Sequence, residues 1–118
     1  MNNVTIVGRV GRDPELRYGK NGKAIVNFSV ATDYGRDDKK KTTWHNVVVF
    51  DTFAENVSAS IHKGARVVVC GRIDISDYEA KDGTTKKKIE LIADAVGLDL
   101  RFDAVQSVFV AEIPEEGF

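Results

Sequence analysis

Residues 24–32 read Ala-Ile-Val-Asn-Phe-Ser-Val-Ala-Thr, with Ala24, Val26, Phe28 and Val30 on one side and Asn27 and Ser29 on the other. A period of two fits a strand with one face in a core; a helix would scatter the same apolar side chains around its circumference. Strand signals recur along the chain. Residues 4–10 are rich in β-branched side chains, with Gly8 marking a bulge or bend. Residues 43–50 form a third strand and 66–78 a fourth, the latter with Val67, Val69, Gly71, Ile73 and Ile75 on one face. Asp82-Gly83 is a strong hairpin dipeptide and turns the chain into a fifth strand over 85–96. The polar run from Asp33 to Lys41 reads as a long exposed hairpin loop. One segment alone has helical spacing, about Phe53 to Lys63, where Phe53, Val57 and Ile61 recur every four residues. Thr52 and Glu55 offer it a capping box, and Gly64 stops it. Three strands, a helix and two strands make an all-β domain with one short helix between strands 3 and 4.

A chain of 118 residues, 42% hydrophobic and 30% charged, fits one soluble domain that buries its core without staples. Cys70 is the only cysteine, so neither an internal disulfide nor a cysteine-rich zinc site is available. No stretch has the length of a membrane span and the N-terminus lacks signal-peptide order, so a cytoplasmic location is expected. The net charge of −1 averages two unlike parts. Residues 1–101 hold all 17 basic and 14 of the 18 acidic residues, whereas the remainder holds Asp103, Glu112, Glu115 and Glu116. Within the basic body, positive residues gather at Arg9 to Lys23, at Arg36 to Lys41 and at Lys86 to Lys88. Each cluster alone suits a solvated loop tip; three on one small domain suit a polyanion.

Catalytic arrangements fail one by one. His45 and His62 are far apart, and neither has metal-ligand spacing with Cys70 or a carboxylate pair. Cys70 follows three valines, the setting of a buried, inert thiol. Gly8-Arg9-Val10-Gly11 lacks the Gly-Lys-Ser/Thr ending of a P-loop. No base, nucleophile and oxyanion donor come together, so neither an enzyme nor a bound cofactor or metal is expected. The aromatic residues say more. Trp44 and Phe50 share a face with Asn46 and Val48, while His45, Val47 and Val49 point the other way. Two rings on the less apolar side either cap a second small core, beneath the helix or a partner subunit, or wait for a ligand. Rings displayed among lysines and arginines suit single-stranded nucleic acid, whose bases stack while cations follow the phosphates.

In order and spacing, these segments resemble the bacterial single-stranded DNA-binding proteins over about residues 2–102. The resemblance is carried by Asn2-Asn3-Val4-Thr5-Ile6-Val7-Gly8, by Gly11-Arg12-Asp13-Pro14-Glu15-Leu16-Arg17-Tyr18, and by Asn21-Gly22 with Val26-Asn27-Phe28-Ser29-Val30-Ala31-Thr32. Thr43-Trp44-His45-Asn46-Val47-Val48-Val49-Phe50, Lys63-Gly64-Ala65-Arg66-Val67 and Cys70-Gly71-Arg72-Ile73 complete it. It implies an OB-fold, a five-stranded Greek-key barrel, assembled as a homotetramer that coats single-stranded DNA in replication, recombination and repair. By resemblance, Trp44, Phe50 and Tyr78 stack on bases, with Tyr34 near another stacking position. Arg17 and Lys63 match basic positions near the DNA, and Arg9, Arg72, Lys39, Lys40, Lys41, Lys86 and Lys87 are further candidates for phosphate contacts. His45 matches an interface histidine, with Asn3 and Thr5 expected at subunit contacts.

The chain departs from the family pattern at Asn46, Thr52 and Asp74-Ile75-Ser76-Asp77, where basic residues are frequent. A barrel over 1–102 would be followed by a short acidic tail over 103–118, with room for an extra strand at 105–110. The tail shows no long Gly/Pro/Gln-rich linker. Its Ile113, Pro114, Glu115, Glu116 and Phe118 read either as a shortened docking tip for replication and repair proteins or as a solubilising end. Residues 95–102 are similar to actinobacterial members, which hints at an actinobacterial or phage source. A second reading is an OB-fold protein-interaction module, a replication or primosome accessory factor with little DNA binding of its own.

Overall fold

A computed structural model describes residues 1–105. Six strands and one helix follow in the order β1 (Val4–Val10), β2 (Glu15–Tyr18), β3 (Ala24–Tyr34), β4 (Lys41–Phe50), α1 (Asp51–Ser60), β5 (Arg66–Glu79) and β6 (Thr85–Leu98). The sheet runs β1-β5-β6-β4-β3-β2, and a further pairing of β1 with β3 closes five of its strands into a ring. Among the described residues only the β4–β6 pairing is parallel, through Val47 opposite Leu91 and Val48 opposite Ile92. This is the OB-fold barrel, with β2 as a sixth strand laid along the first half of β3.

The alternation in β3 holds as expected: Ala24, Val26, Phe28 and Val30 are buried. With Val47, Val49, Val67, Val69 and Leu91 they fill the barrel. Burying a side chain of this size is worth about 1.5–3 kcal/mol, so this set is the main stabilising contribution. Ala54, Val57 and Ile61 close one end, with Phe53 partly buried beside them.

The helix begins and ends earlier than its spacing suggested. β4 runs into it without a linker, and the reversal falls on Asp51, whose φ is 63°. The capping position is therefore Phe50, which has no polar side chain, so Thr52 and Glu55 form no capping box. The last turn closes through Ile61 N–H donating to Val57 O at 2.8 Å, leaving His62 and Lys63 outside the helix. The segment after it is pinned to β1, with Gly64 N–H on Val10 O and Val10 N–H on Ala65 O.

The expected hairpin loop over 33–41 is present at residues 35–40, with a short 3-10 turn at Asp37–Lys39, while β3 and β4 extend over its two ends at Tyr34 and Lys41. The hairpin turn at Asp82-Gly83 forms as expected. Asp82 Oδ1 accepts from Thr84 N–H and from its hydroxyl, and the hydroxyl contact does most to hold the Asp82 carboxyl below its ordinary value. Beyond the barrel this hairpin continues as an arm, where Ile75 and Ile89 oppose one another and are both exposed. Val105, the first residue of the expected extra strand, lies in coil, and the remainder of that segment and the acidic tail lie outside the described residues.

The bulge expected at Gly8 is elsewhere, as a register shift between β5 and β6 at Cys70 and Gly71. Gly8 serves the ring closure instead. A Cβ on it would stand 2.1 Å from the carbonyl oxygen of Ala31 on β3, so only glycine lets the two strands approach. Because the obstacle is backbone, Gly8→Ala is expected to cost about 2–3 kcal/mol in urea unfolding, the upper range for overpacking. An unchanged midpoint would mean that the seam tolerates separation.

Candidate nucleic-acid interface

β3 and β4 build the main outer surface, and their register decides which side chains share it. Directly opposed residues of an antiparallel pair point the same way. Ala31 opposite Trp44, Ser29 opposite Asn46, Asn27 opposite Val48 and Ile25 opposite Phe50 thus form one outward set. Arg17 on β2 stands beside Ile25, and Glu15 stands beside Asn27. Trp44 is 61% exposed and Phe50 43%, so the helix covers neither ring. Six residue steps along β4 carry the chain from one ring to the other, about 20 Å.

Beside Trp44 the surface is concave and polar. A cleft of about 260 Å³ is lined by Arg12, Asp13, Glu15, Asn27, Ser29 and Asn46, with Phe28 contributing to its lining. It adjoins a hollow of about 370 Å³ formed by Gly11, Arg12, Ser29 and Trp44. The wall is the link from β1 to β2, fastened by Gly11 N–H donating to Ser29 O at 3.0 Å. Asp13 Oδ1 accepts from the backbone N–H of Lys63 at 2.7 Å, which brings Lys63 to the cleft's rim.

An OB barrel carrying exposed rings beside a polar cleft has relatives among known proteins. The model of the single-strand binding protein family matches residues 1–99. The chain belongs to that family. A single-stranded DNA-binding protein of Neisseria meningitidis is 39% identical over 98 residues, covering 79% of this chain and 56% of its own length. One from the actinobacterium Paenarthrobacter nicotinovorans is 34% identical over 106 residues, covering 84% of this chain and 62% of its own. Another from Mycobacterium leprae is 35% identical over 106 residues, covering 84% and 63%. The chain thus spans less than two thirds of the length of these relatives.

The other residues singled out for this family are dispersed over the barrel. Arg72 lies on the same outward side as the cleft, in a row running from Asn27 through Val48 and Ile92. Tyr78 and Lys86 oppose each other on the β5–β6 arm. Lys87 stands on the arm's other face, paired with Asp77 at 3.1 Å, whereas Lys88 shares the face of Lys86 and pairs with Glu90 at 3.5 Å. Tyr34, opposite Lys41, occupies the face of β3 and β4 turned away from Trp44. Lys39 lies in the 3-10 turn beside Lys40, which pairs with Asp33 at 3.4 Å. The Thr42 hydroxyl, and after it Lys40, hold the Asp33 carboxyl below its ordinary value.

Arg9 is engaged by Gly64 O at 2.9 Å and by Asp103 at 3.2 Å. Beside it the Arg66 side chain donates to Asp99 at 2.6 Å and holds that carboxyl below its ordinary value. Asn3 and Thr5 are exposed on or beside β1, with the Thr5 hydroxyl 3.5 Å from Cys70 Sγ. His45 is half-buried on the core side of β4, 2.8 Å from the Thr32 hydroxyl. Sequence reasoning placed Asn27 and Ser29 on the polar side of a strand. Nothing there joined them to Arg12 and Glu15, because only the pairing of β2 with β3 and the path of the link do so.

Trp44 lies over Gly11, where a Cβ would meet its Cζ3 at 2.6 Å. The obstacle is the far end of an exposed side chain, so Gly11→Ala is expected to change unfolding free energy by less than about 0.5 kcal/mol. The ring should nonetheless shift, moving the single-tryptophan emission. An unmoved spectrum would mean that the ring does not rest on this glycine.

Proposed function

We propose that this chain binds single-stranded DNA without sequence preference, coating and protecting it during replication, recombination and repair. The observation that carries this reading is the pair of exposed rings, Trp44 and Phe50, on the outward face that also holds the polar cleft. Paired bases hide their faces, whereas unpaired bases offer them to such rings. In single-strand-binding OB-folds, the class to which this chain belongs, each base stacked on an aromatic ring is worth about 1–3 kcal/mol. We assign further stacking to Tyr78 and phosphate contacts to Arg17, Lys63, Arg72 and Lys86, with Lys88 added by its shared face. The reaction needs no chemistry, only binding, and its place is the bacterial cytoplasm where the DNA lies. To the acidic C-terminus with Ile113, Pro114 and Phe118 we assign the recruitment of replication and repair proteins.

The same reading includes a homotetramer. Among the described residues, β1 pairs on one edge with β5 throughout Val4–Arg9 but on the other with β3 only at Arg9 and Val10. The free edge from Val4 to Val7 is a ready template for a second strand. Beside it lies an outward patch of small and apolar side chains, with Thr5 opposite Cys70 and Val7 opposite Val68. Light scattering on the eluting protein is expected to give about 52 kDa, four chains of 13.0 kDa. A mass of one chain at micromolar concentration would remove the tetramer from the proposal.

Trp44 is the only tryptophan, so its fluorescence reports on the site itself. Oligo-dT is expected to quench it strongly and duplex DNA to leave it unchanged. Trp44→Ala, followed by mobility shift, should weaken binding by about fivefold or more, the lower end of one lost stack. No quenching and no shift at low salt would sink the proposal and favour a protein-interaction module.

A further inference from the structure

Lys63 stands two residues past Ile61, the C-cap of α1, in a turn closed by Ala65 N–H donating to His62 O at 3.0 Å. Each part of that turn has its own tether. Backbone bonds to Val10 and the Arg9 guanidinium hold Gly64 and Ala65. The Lys63 N–H goes instead to a side chain 50 residues away, Asp13 Oδ1, at 2.7 Å. Asp13 is held in reach because Pro14, buried directly after it, anchors the β1–β2 link, while Gly11 N–H fastens the link's other end to Ser29 O. The carboxylate takes the backbone and leaves the ammonium: among the described residues Lys63 forms no ion pair, whereas Lys40, Lys87 and Lys88 do. A carboxylate at this place has an unfavourable charge on two counts. It lies near the negative, C-terminal end of a helix, and it lines the polar cleft on a face proposed to meet phosphates. What it supplies is an acceptor, in a strong charge-assisted bond.

Resting on the reading of this face as a strand-binding surface, we infer that Asp13 is a positioning residue for the strand: its oxygen aims Lys63 at the phosphates, while its charge opposes them. The bond fixes the peptide unit that enters Lys63, and with it the direction in which Cβ and the long side chain leave the backbone. Without it the N–H turns to water, the turn keeps only its tethers at Gly64 and Ala65, and Lys63 sweeps a wider arc. A lysine held at the rim has given up that freedom before a strand arrives, so its phosphate contact forms at a smaller entropic cost. An amide oxygen accepts as a carboxylate oxygen does but carries no charge. Asp13→Asn therefore separates the two effects, whereas Asp13→Ala removes both.

The test titrates the intact protein with oligo-dT across a salt series, reading Trp44 quenching for wild type, Asp13→Asn and Asp13→Ala, each with and without Lys63→Ala. In wild type, Lys63→Ala is expected to weaken binding about three- to tenfold at about 0.1 M salt and to lower the salt slope by about 0.7, one phosphate contact on a single strand. In the Asp13→Ala background the same substitution should cost less than about twofold and leave the slope where it is, because partners in one network are not additive. Asp13→Asn should keep the full Lys63 effect and bind about twofold more tightly at low salt, the scale of one like charge about 10 Å away in water. A role in stability alone would leave the Lys63 effect equal in every folded variant. Should circular dichroism show Asp13→Ala to be unfolded, Asp13→Asn carries the test. An undiminished Lys63 effect in folded Asp13→Ala, weaker binding by Asp13→Asn than by wild type, or a Lys63→Ala without effect in wild type would overturn the inference and leave the proposed function standing. Absence of quenching in wild type would instead remove the function, and the inference with it.

Discussion

The outer surface depends on how closely β1 approaches β3. At Gly8 the two backbones leave no room for a side chain, and this contact turns a sheet into a ring. It also forces β3 to change neighbours along its length. β2 accompanies β3 up to Asn27, and β1 takes over from Val30. The intervening residues, Phe28 and Ser29, have no strand beside them on that edge, and the Gly11–Asp13 link crosses the space. The cleft sits at this exchange. It is therefore a consequence of closing the barrel, and its polar lining comes from the residues that alternation turns away from the core.

The same geometry explains what could be read from the chain before its fold was known. Alternation in 24–32 reports burial on one side, and that held, because a closed barrel gives each central strand one dry and one wet face. β2 escaped because Glu15, Leu16, Arg17 and Tyr18 are all exposed, leaving no buried face to reveal it. The helix start was misplaced because Thr52 and Glu55 fit a capping pattern by spacing alone, while an unusual φ at Asp51 had already made the turn. Register left no trace in the sequence. The exposed rings were legible from parity within β4, but their joining to Glu15 and Arg12 needed the pairing of β2 with β3. Within the run from Lys86 to Lys88, alternation separates Lys87 from its neighbours, and the ion pair with Asp77 is what the pairing adds.

Charge is arranged in the same spirit. Several basic residues of the body already have carboxylate partners: Arg9 with Asp103, Lys40 with Asp33, Lys87 with Asp77 and Lys88 with Glu90. Both side chains of the first three pairs are about half exposed or more, so each pair contributes little to stability and exchanges readily. On the proposed reading, a phosphate that replaces such a carboxylate gains less than one meeting an unpaired cation, because the carboxylate must be returned to solvent. The salt-sensitive part of binding then falls mainly on positions such as Arg17, Lys63 and Arg72, and the remainder must come from contacts that salt does not screen. Exposed rings on one face, with the hydrogen-bonding groups of the cleft beside them, are contacts of that kind. A body with an excess of only three positive charges can hold a polyanion this way, provided that its strand pairing keeps the groove open.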